Sequence, residues 1–95
     1  MNRPRRVGLP WYASENYEAL RASLLDGSKL PPHYETWRIA TEQMEREVQR
    51  SGVEVVRVPI EPAAFAAWCA RARASGDASG RALYAAEVVA YTNKA

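Results

Sequence analysis

Few side chains in this sequence carry the usual chemistry of catalysis, and their spacing does not assemble a site. His33 is the one histidine and Cys69 the one cysteine. A thiol nucleophile needs a base within hydrogen-bond reach and a third group to orient that base. His33 falls where a helix N-cap would sit, and Cys69 lies between Trp68 and Ala70, where a thiol packs as a small hydrophobe. Glu45 and Glu47 stand roughly 200° apart around a helix and cannot share a site within one chain. One Cys and one His cannot furnish the four soft ligands of a structural zinc site, and a lone cysteine forms no internal disulfide, in keeping with a reducing compartment. The five glycines occur singly at helix ends and turns, so no phosphate-cradling loop is present. These residues argue against an enzyme and imply no cofactor.

Arginine offers a different chemistry, that of base edges and phosphates. Arg57 lies within an apolar β-like run and has the fork geometry for a bidentate contact to guanine. Arg3, Arg5 and Arg6 crowd the first six residues, and such an arm can follow phosphates or a minor groove. Arg81 sits near the start of the last helical stretch. The formal charge of +2 is too small to argue nucleic-acid binding by itself. The aromatics Trp11, Tyr12, Tyr17, Tyr34, Trp37, Phe65, Trp68, Tyr84 and Tyr91 mostly recur at helical core spacing without interleaved basic residues. That pattern favours packing over base stacking. Trp11 and Tyr12 read as a lid on the core.

The elements that must position these groups are mainly helices. Ser14 is a plausible N-cap for a first helix with Tyr17, Leu20, Leu24 and Leu25 on its apolar side, ended by Asp26-Gly27. Pro31 and Pro32 interrupt the chain. A second helix from about His33 to Gln49 presents Tyr34, Trp37, Ala40 or Thr41, Met44 and Val48 on one face. Its opposite face carries Glu35, Arg38, Glu42, Glu45, Arg46 and Gln49, a pattern expected of solvated surface. Glu61-Pro62 opens a third helix with Phe65, Trp68, Cys69 and Ala72 on its stripe. Ser75-Gly76 ends that helix, and Asp77 or Ser79 caps a fourth running to about Thr92.

Between the second and third helices lies the one strand-like run, Val53 to Ile60. A strand cannot satisfy its own backbone groups, so it needs a partner. That partner is either the N-terminal arm, around Arg5–Leu9, or the same strand of a second copy. The expectation is a homodimer paired through Val53, Val55, Val56, Val58 and Ile60. The fold class is therefore a small α+β domain, mainly helical with one strand, in the order α-α-β-α-α. Ninety-five residues allow a single domain, 1–95, with a flexible basic arm over 1–10 and a strand-helix-helix unit over 53–92. No apolar run approaches the roughly 18 residues of a membrane span, and Met1 to Pro10 lacks a signal peptide's apolar centre. A cytoplasmic chain with no membrane partner is expected.

Val53 to Tyr91 resembles the ribbon-helix-helix fold, with Ile60 as the last inward strand residue, Ala64, Phe65 and Trp68 at the apolar helix positions, and Gly76 between the helices. The resemblance implies two strands paired antiparallel across a dimer and set into the major groove of double-stranded DNA. Val53, Val55 and Arg57 would face the bases, and Asp77 to Arg81 would lie near the phosphates. A wider pattern also looks like a group of short bacterial proteins without assigned activity. It comprises Asp26-Gly27, Leu30-Pro31, Tyr34, Trp37, Arg57-Val58, Ile60, Pro62, Phe65 and Trp68-Cys69. The leading expectation is a DNA-binding regulatory dimer in which Arg57 reads bases while Arg81, Arg3, Arg5 and Arg6 neutralise phosphates. The alternative is a module that docks on a partner protein or on a second copy. Little positive potential around Arg57, or an acidic patch beside the strand, would favour that alternative.

Overall fold

A computed structural model describes residues 5–92. The lone apolar run finds its partner within the chain. Arg6–Trp11 forms a strand, β1, that pairs parallel with Glu54–Pro59, β2, with Arg6 opposite Glu54 and Trp11 opposite Pro59. Parallel neighbours need a long crossover, and two helices supply it: α1, Tyr17–Ser23, and α2, Tyr34–Arg50. After β2 come α3, Pro62–Ala72, and α4, Ala78–Thr92. The described residues are mostly helical, with one two-stranded parallel sheet, in the order β-α-α-β-α-α.

This arrangement corrects two expectations. The segment expected to be part of a flexible arm is a strand from Arg6 onward, and the strand order is not α-α-β-α-α. The need for a second copy to satisfy Val53–Ile60 also disappears. Glu54 N donates to Arg5 O at 2.7 Å and Ile60 N to Trp11 O at 2.9 Å. Alternate residues of a parallel strand point both backbone groups toward the same neighbour. Hence Glu54, Val56, Val58 and Ile60 turn their backbone toward β1, while Val55, Arg57 and Pro59 turn outward. By the same parity Pro10 lies on the outer edge of β1. Each outer edge therefore carries a proline, whose missing N–H is harmless there and which shortens the edge available for further pairing.

Side chains divide across the sheet in the same alternation. Val58, with Val56 beside it, packs on α4 through Ala85 and Val89. Of the residues expected at a dimer interface, Val58 and Ile60 are thus buried in this chain's own core, and Val53, Val55 and Val56 are half-buried. Gly8 occupies the α4 side of β1. A Cβ there would come within 2.5 Å of Ala85 O, so glycine is what lets the helix lie on the strand.

The main core joins Tyr12, Tyr17, Leu20, Leu24, Trp37, Ile60 and Phe65. Tyr12 stacks on Trp37 at 4.5 Å, Trp11 meets Trp37 edge-on at 5.0 Å, and Tyr17 meets Tyr34 edge-on at 5.4 Å. Tyr12 is 3% exposed and belongs to the core rather than to a lid over it. The phenols find partners as burial demands: Tyr34 Oη donates to Tyr12 O at 3.0 Å, and Tyr17 Oη to Pro31 O.

Local signals close the helices largely as their residues dictate. Glu61 accepts from Ala64 N at 2.8 Å and from Ala63 N at 3.4 Å, with Pro62 at the first helical position. Asp77 caps α4 by accepting from Gly80 N at 3.1 Å. Three boundaries differ from expectation. α1 begins at Tyr17, and Ser14, expected to cap it, instead opens a short 3₁₀ turn, Ser14–Asn16, without a side-chain capping bond. α1 ends at Ser23, before Asp26-Gly27, and α3 ends on Arg73, whose left-handed φ of 55° takes the role expected of Ser75-Gly76.

Gly8→Ala should destabilise the chain by about 1–3 kcal/mol, because the added methyl must displace α4. Urea unfolding of the two proteins checks this; equal midpoints would show that α4 is not seated on β1 as described.

Candidate functional site

Arg57, the residue expected to read bases, is already committed. β2 directs it toward α2, where Glu45 accepts from Nε at 2.8 Å and from Nη2 at 2.7 Å. Glu42 approaches Nη2 at 3.7 Å. The guanidinium lies 3.7 Å from the centroid of the Trp11 ring, a cation–π stack. Glu42 also accepts from Arg38 Nη1 at 2.8 Å, and Arg38 forks onto Glu35 at 2.7 and 3.1 Å. The result is a continuous carboxylate–guanidinium chain along α2. The hydrogen bonds from Arg57 hold the Glu45 carboxyl below its ordinary value, against the opposing effect of burial.

Glu45 was expected on the solvated face of α2 but is 9% exposed, whereas Met44, expected inside, is 46% exposed. Sequence periodicity missed this exchange because the buried carboxylate takes its partner from β2, not from its own helix.

Arg81 is committed in the same way. It is 5% exposed, and its two terminal nitrogens fork onto the Asp26 carboxylate at 2.7 and 2.9 Å. Its guanidinium also lies 5.9 Å from the Tyr12 ring centroid. The pair ties the loop after α1 to α4, and Arg81 is not placed to neutralise a phosphate. Arg6 bridges to Glu54 at 2.9 Å, Arg5 is exposed beside it, and Arg3 lies outside the described residues. The acidic groups Glu42 and Glu45 thus stand against Arg57 on the strand.

A mostly apolar groove of about 480 Å³ opens between α1 and α3, lined by Leu20, Ser23, Leu24 and Leu25 on one side and by Pro62, Ala63, Phe65, Ala66 and Cys69, with Gly76, on the other. Leu25 stands at its rim with 77% of its surface exposed. Its backbone is nevertheless anchored. Its N–H donates to Gly76 O at 2.9 Å, and the next residue is Asp26, clamped by Arg81. Ala63 and Ala66 make the opposite wall low, so a guest can come close to the α3 backbone. The sequence signal for this wall is the run of alanines on α3, which lets another helix approach closely; Ala63 and Ala66 of that run line the groove.

Two groups weighed for nucleophilic chemistry stay apart. His33 is exposed just before α2 and makes no side-chain capping bond. Cys69 lines the groove, its Sγ 3.8 Å from Ser75 O, and burial, with Asp77 adding to it, pushes the thiol above its ordinary value. No hydrogen bond joins the two, and among the described residues no three His, Cys, Asp or Glu converge as metal ligands. No described helix is long and apolar enough to cross a membrane. Compared with known proteins, the chain matches no family model, no curated protein and no solved structure.

Two substitutions separate structural from DNA-reading roles for these arginines. Arg57→Ala should cost about 1–2 kcal/mol of stability through the lost ion pair and ring stack. It should leave the affinity for random duplex at low salt unchanged, as read by fluorescence anisotropy; a selective loss of duplex binding would restore the base-reading role.

Asp26→Asn should cost about 3 kcal/mol near neutral pH, because it leaves a buried guanidinium without its charge partner. The bond from Arg81 lowers the Asp26 pKa in the fold. Its stabilisation is therefore present above the unfolded carboxyl value of about 4 and is lost as pH falls through the lower folded value. Urea unfolding of both proteins should show the gap between them closing as the buffer is acidified. A gap that widened in acid would contradict the assignment.

Proposed function

We propose that this chain is a non-enzymatic binding module that accepts an amphipathic helix of a partner protein in the groove between α1 and α3. The carrying observation is Leu25, an exposed leucine whose backbone is anchored by a hydrogen bond and an adjacent buried ion pair at the rim of a mostly apolar groove of about 480 Å³. An exposed apolar side chain on a mobile loop means little. One on an anchored backbone loses less backbone entropy on contact, and apolar anchors of this kind carry much of the affinity of an interface. The low alanine wall of α3 supports a helix as the guest, since helices that dock in grooves insert apolar residues at one-turn intervals. The neutralised state of Arg57 and Arg81 supports the same choice over double-stranded DNA.

The test places a photo-crosslinking amino acid at Leu25 in cells and, as a control, at Gln43 on the exposed face of α2. The proposal expects a discrete adduct from position 25 that is absent from position 43 and is lost when Ala66→Arg fills the groove. Repeating the reaction on the purified chain distinguishes a foreign partner from a second copy. Identical adduct patterns from the two positions would overturn the proposal, as would an adduct indifferent to Ala66→Arg.

A further inference from the structure

A second pocket, on the far side of α3 from the groove, has a composition suited to a small organic cation. It measures about 190 Å³ and is lined by Trp68 of α3 and by Tyr84, Glu87, Val88 and Tyr91 of α4. The α4 residues recur at the spacing that brings side chains onto one helical face, so a single stripe of α4 supplies most of the wall. The volume is below the roughly 300 Å³ at which sites for drug-sized ligands begin, so the guest is a headgroup or the tip of a side chain.

The chemistry of the wall is specific. Trp68 and Tyr84 meet at 70° with centroids 5.3 Å apart, forming two sides of a corner. Tyr91, 80% exposed, stands two turns along α4 from Tyr84 as a third aromatic side. Phe65 stacks behind Trp68 at 6.1 Å and meets Tyr84 edge-on at 5.6 Å, which fixes the corner from the core side. The Trp68 indole N–H donates to Glu87 Oε2 at 2.7 Å. That bond holds the ring plane and brings a carboxylate to the pocket. Among the described residues no Lys or Arg lines it. Ring faces carry partial negative charge, and an adjacent carboxylate adds to it. A neutral apolar guest would gain nothing from Glu87, and an anion would be repelled by it.

We propose that the Trp68–Tyr84–Glu87–Tyr91 pocket binds a methylated ammonium group. Its weakly hydrated cation fits among the rings, while its charge is balanced by Glu87. The pocket is separate from the α1–α3 groove and does not depend on the helix-docking reading. A free quaternary ammonium compound and a trimethylated lysine side chain present the same headgroup, and the experiment tells them apart.

The test titrates the full chain with choline and, separately, with the amide of Nα-acetyl-trimethyllysine, at constant ionic strength, following tryptophan fluorescence and heat. Saturable binding of either supports the proposal, and the tighter of the two names the source of the headgroup. The neutral isostere 3,3-dimethylbutan-1-ol should bind about tenfold more weakly. Tyr91→Ala, chosen because that side chain is exposed and its loss leaves the core intact, should weaken binding by about fivefold, and Glu87→Gln should weaken it further. Trp68→Phe should remove the fluorescence response while Trp11 and Trp37 remain as reporters of folding. Absence of saturable binding to both cations would overturn the proposal. Equal affinity for the neutral isostere, or affinity unchanged in both Tyr91→Ala and Glu87→Gln, would also overturn it.

Discussion

The parallel pairing of Arg6–Trp11 with Glu54–Pro59 is the constraint on which the rest of the molecule is built. Two strands alone do not make a stable sheet in water, so this pair survives only by being covered. α4 covers one face through Ala85 and Val89, at a distance that Gly8 permits. α2 approaches the other, with Trp37 against Trp11 and Glu45 against Arg57. Because the strands are parallel, the chain between them must cross back, and the crossover carries α1 and the loop that holds Leu25. The pairing thus decides where the exposed leucine ends up.

Charge in this protein serves the fold first. The two arginines best suited to grip a nucleic acid, Arg57 and Arg81, each fork onto a carboxylate that the chain itself supplies, and each also lies near an aromatic ring. For the buried Arg81–Asp26 pair, net stability gains little over well-packed apolar residues, but removing Asp26 leaves the Arg81 charge facing the full cost of burial; in the Arg57–Glu45 pair the buried member is Glu45. Besides these paired cations, two apolar or aromatic features flank α3: the α1–α3 groove and the Trp68–Tyr91 pocket.

The helices were largely legible because their signals are local. Glu61-Pro62, Asp77 and the Tyr34–Trp37 spacing each act within a turn or two, and the corresponding caps and faces are found. The N-terminal segment around Arg5–Leu9 was one of two partners open to the apolar run, and local sequence could not choose it over a second copy, because Gly8 and Pro10 both disfavour a strand. Proline is tolerated there only because parity places it on an outer edge, and glycine is required only because α4 lies above it. Arg57 and Arg81 were expected to contact nucleic acid, and their carboxylate partners are not legible in the sequence. Glu45 is 12 residues from Arg57 and Asp26 is 55 from Arg81, beyond the reach of any periodicity.

From its own order of residues, this chain determines four helices, their caps and one apolar run that has to be paired. The three-dimensional structure alone decides what that run pairs with, which carboxylates absorb the arginines, and that Leu25 stands exposed on an anchored backbone. The reason is that helical hydrogen bonds and caps close between near neighbours. Strand pairing and buried ion pairs are chosen instead by the packing of distant segments, where the alternatives differ only once the whole core has formed.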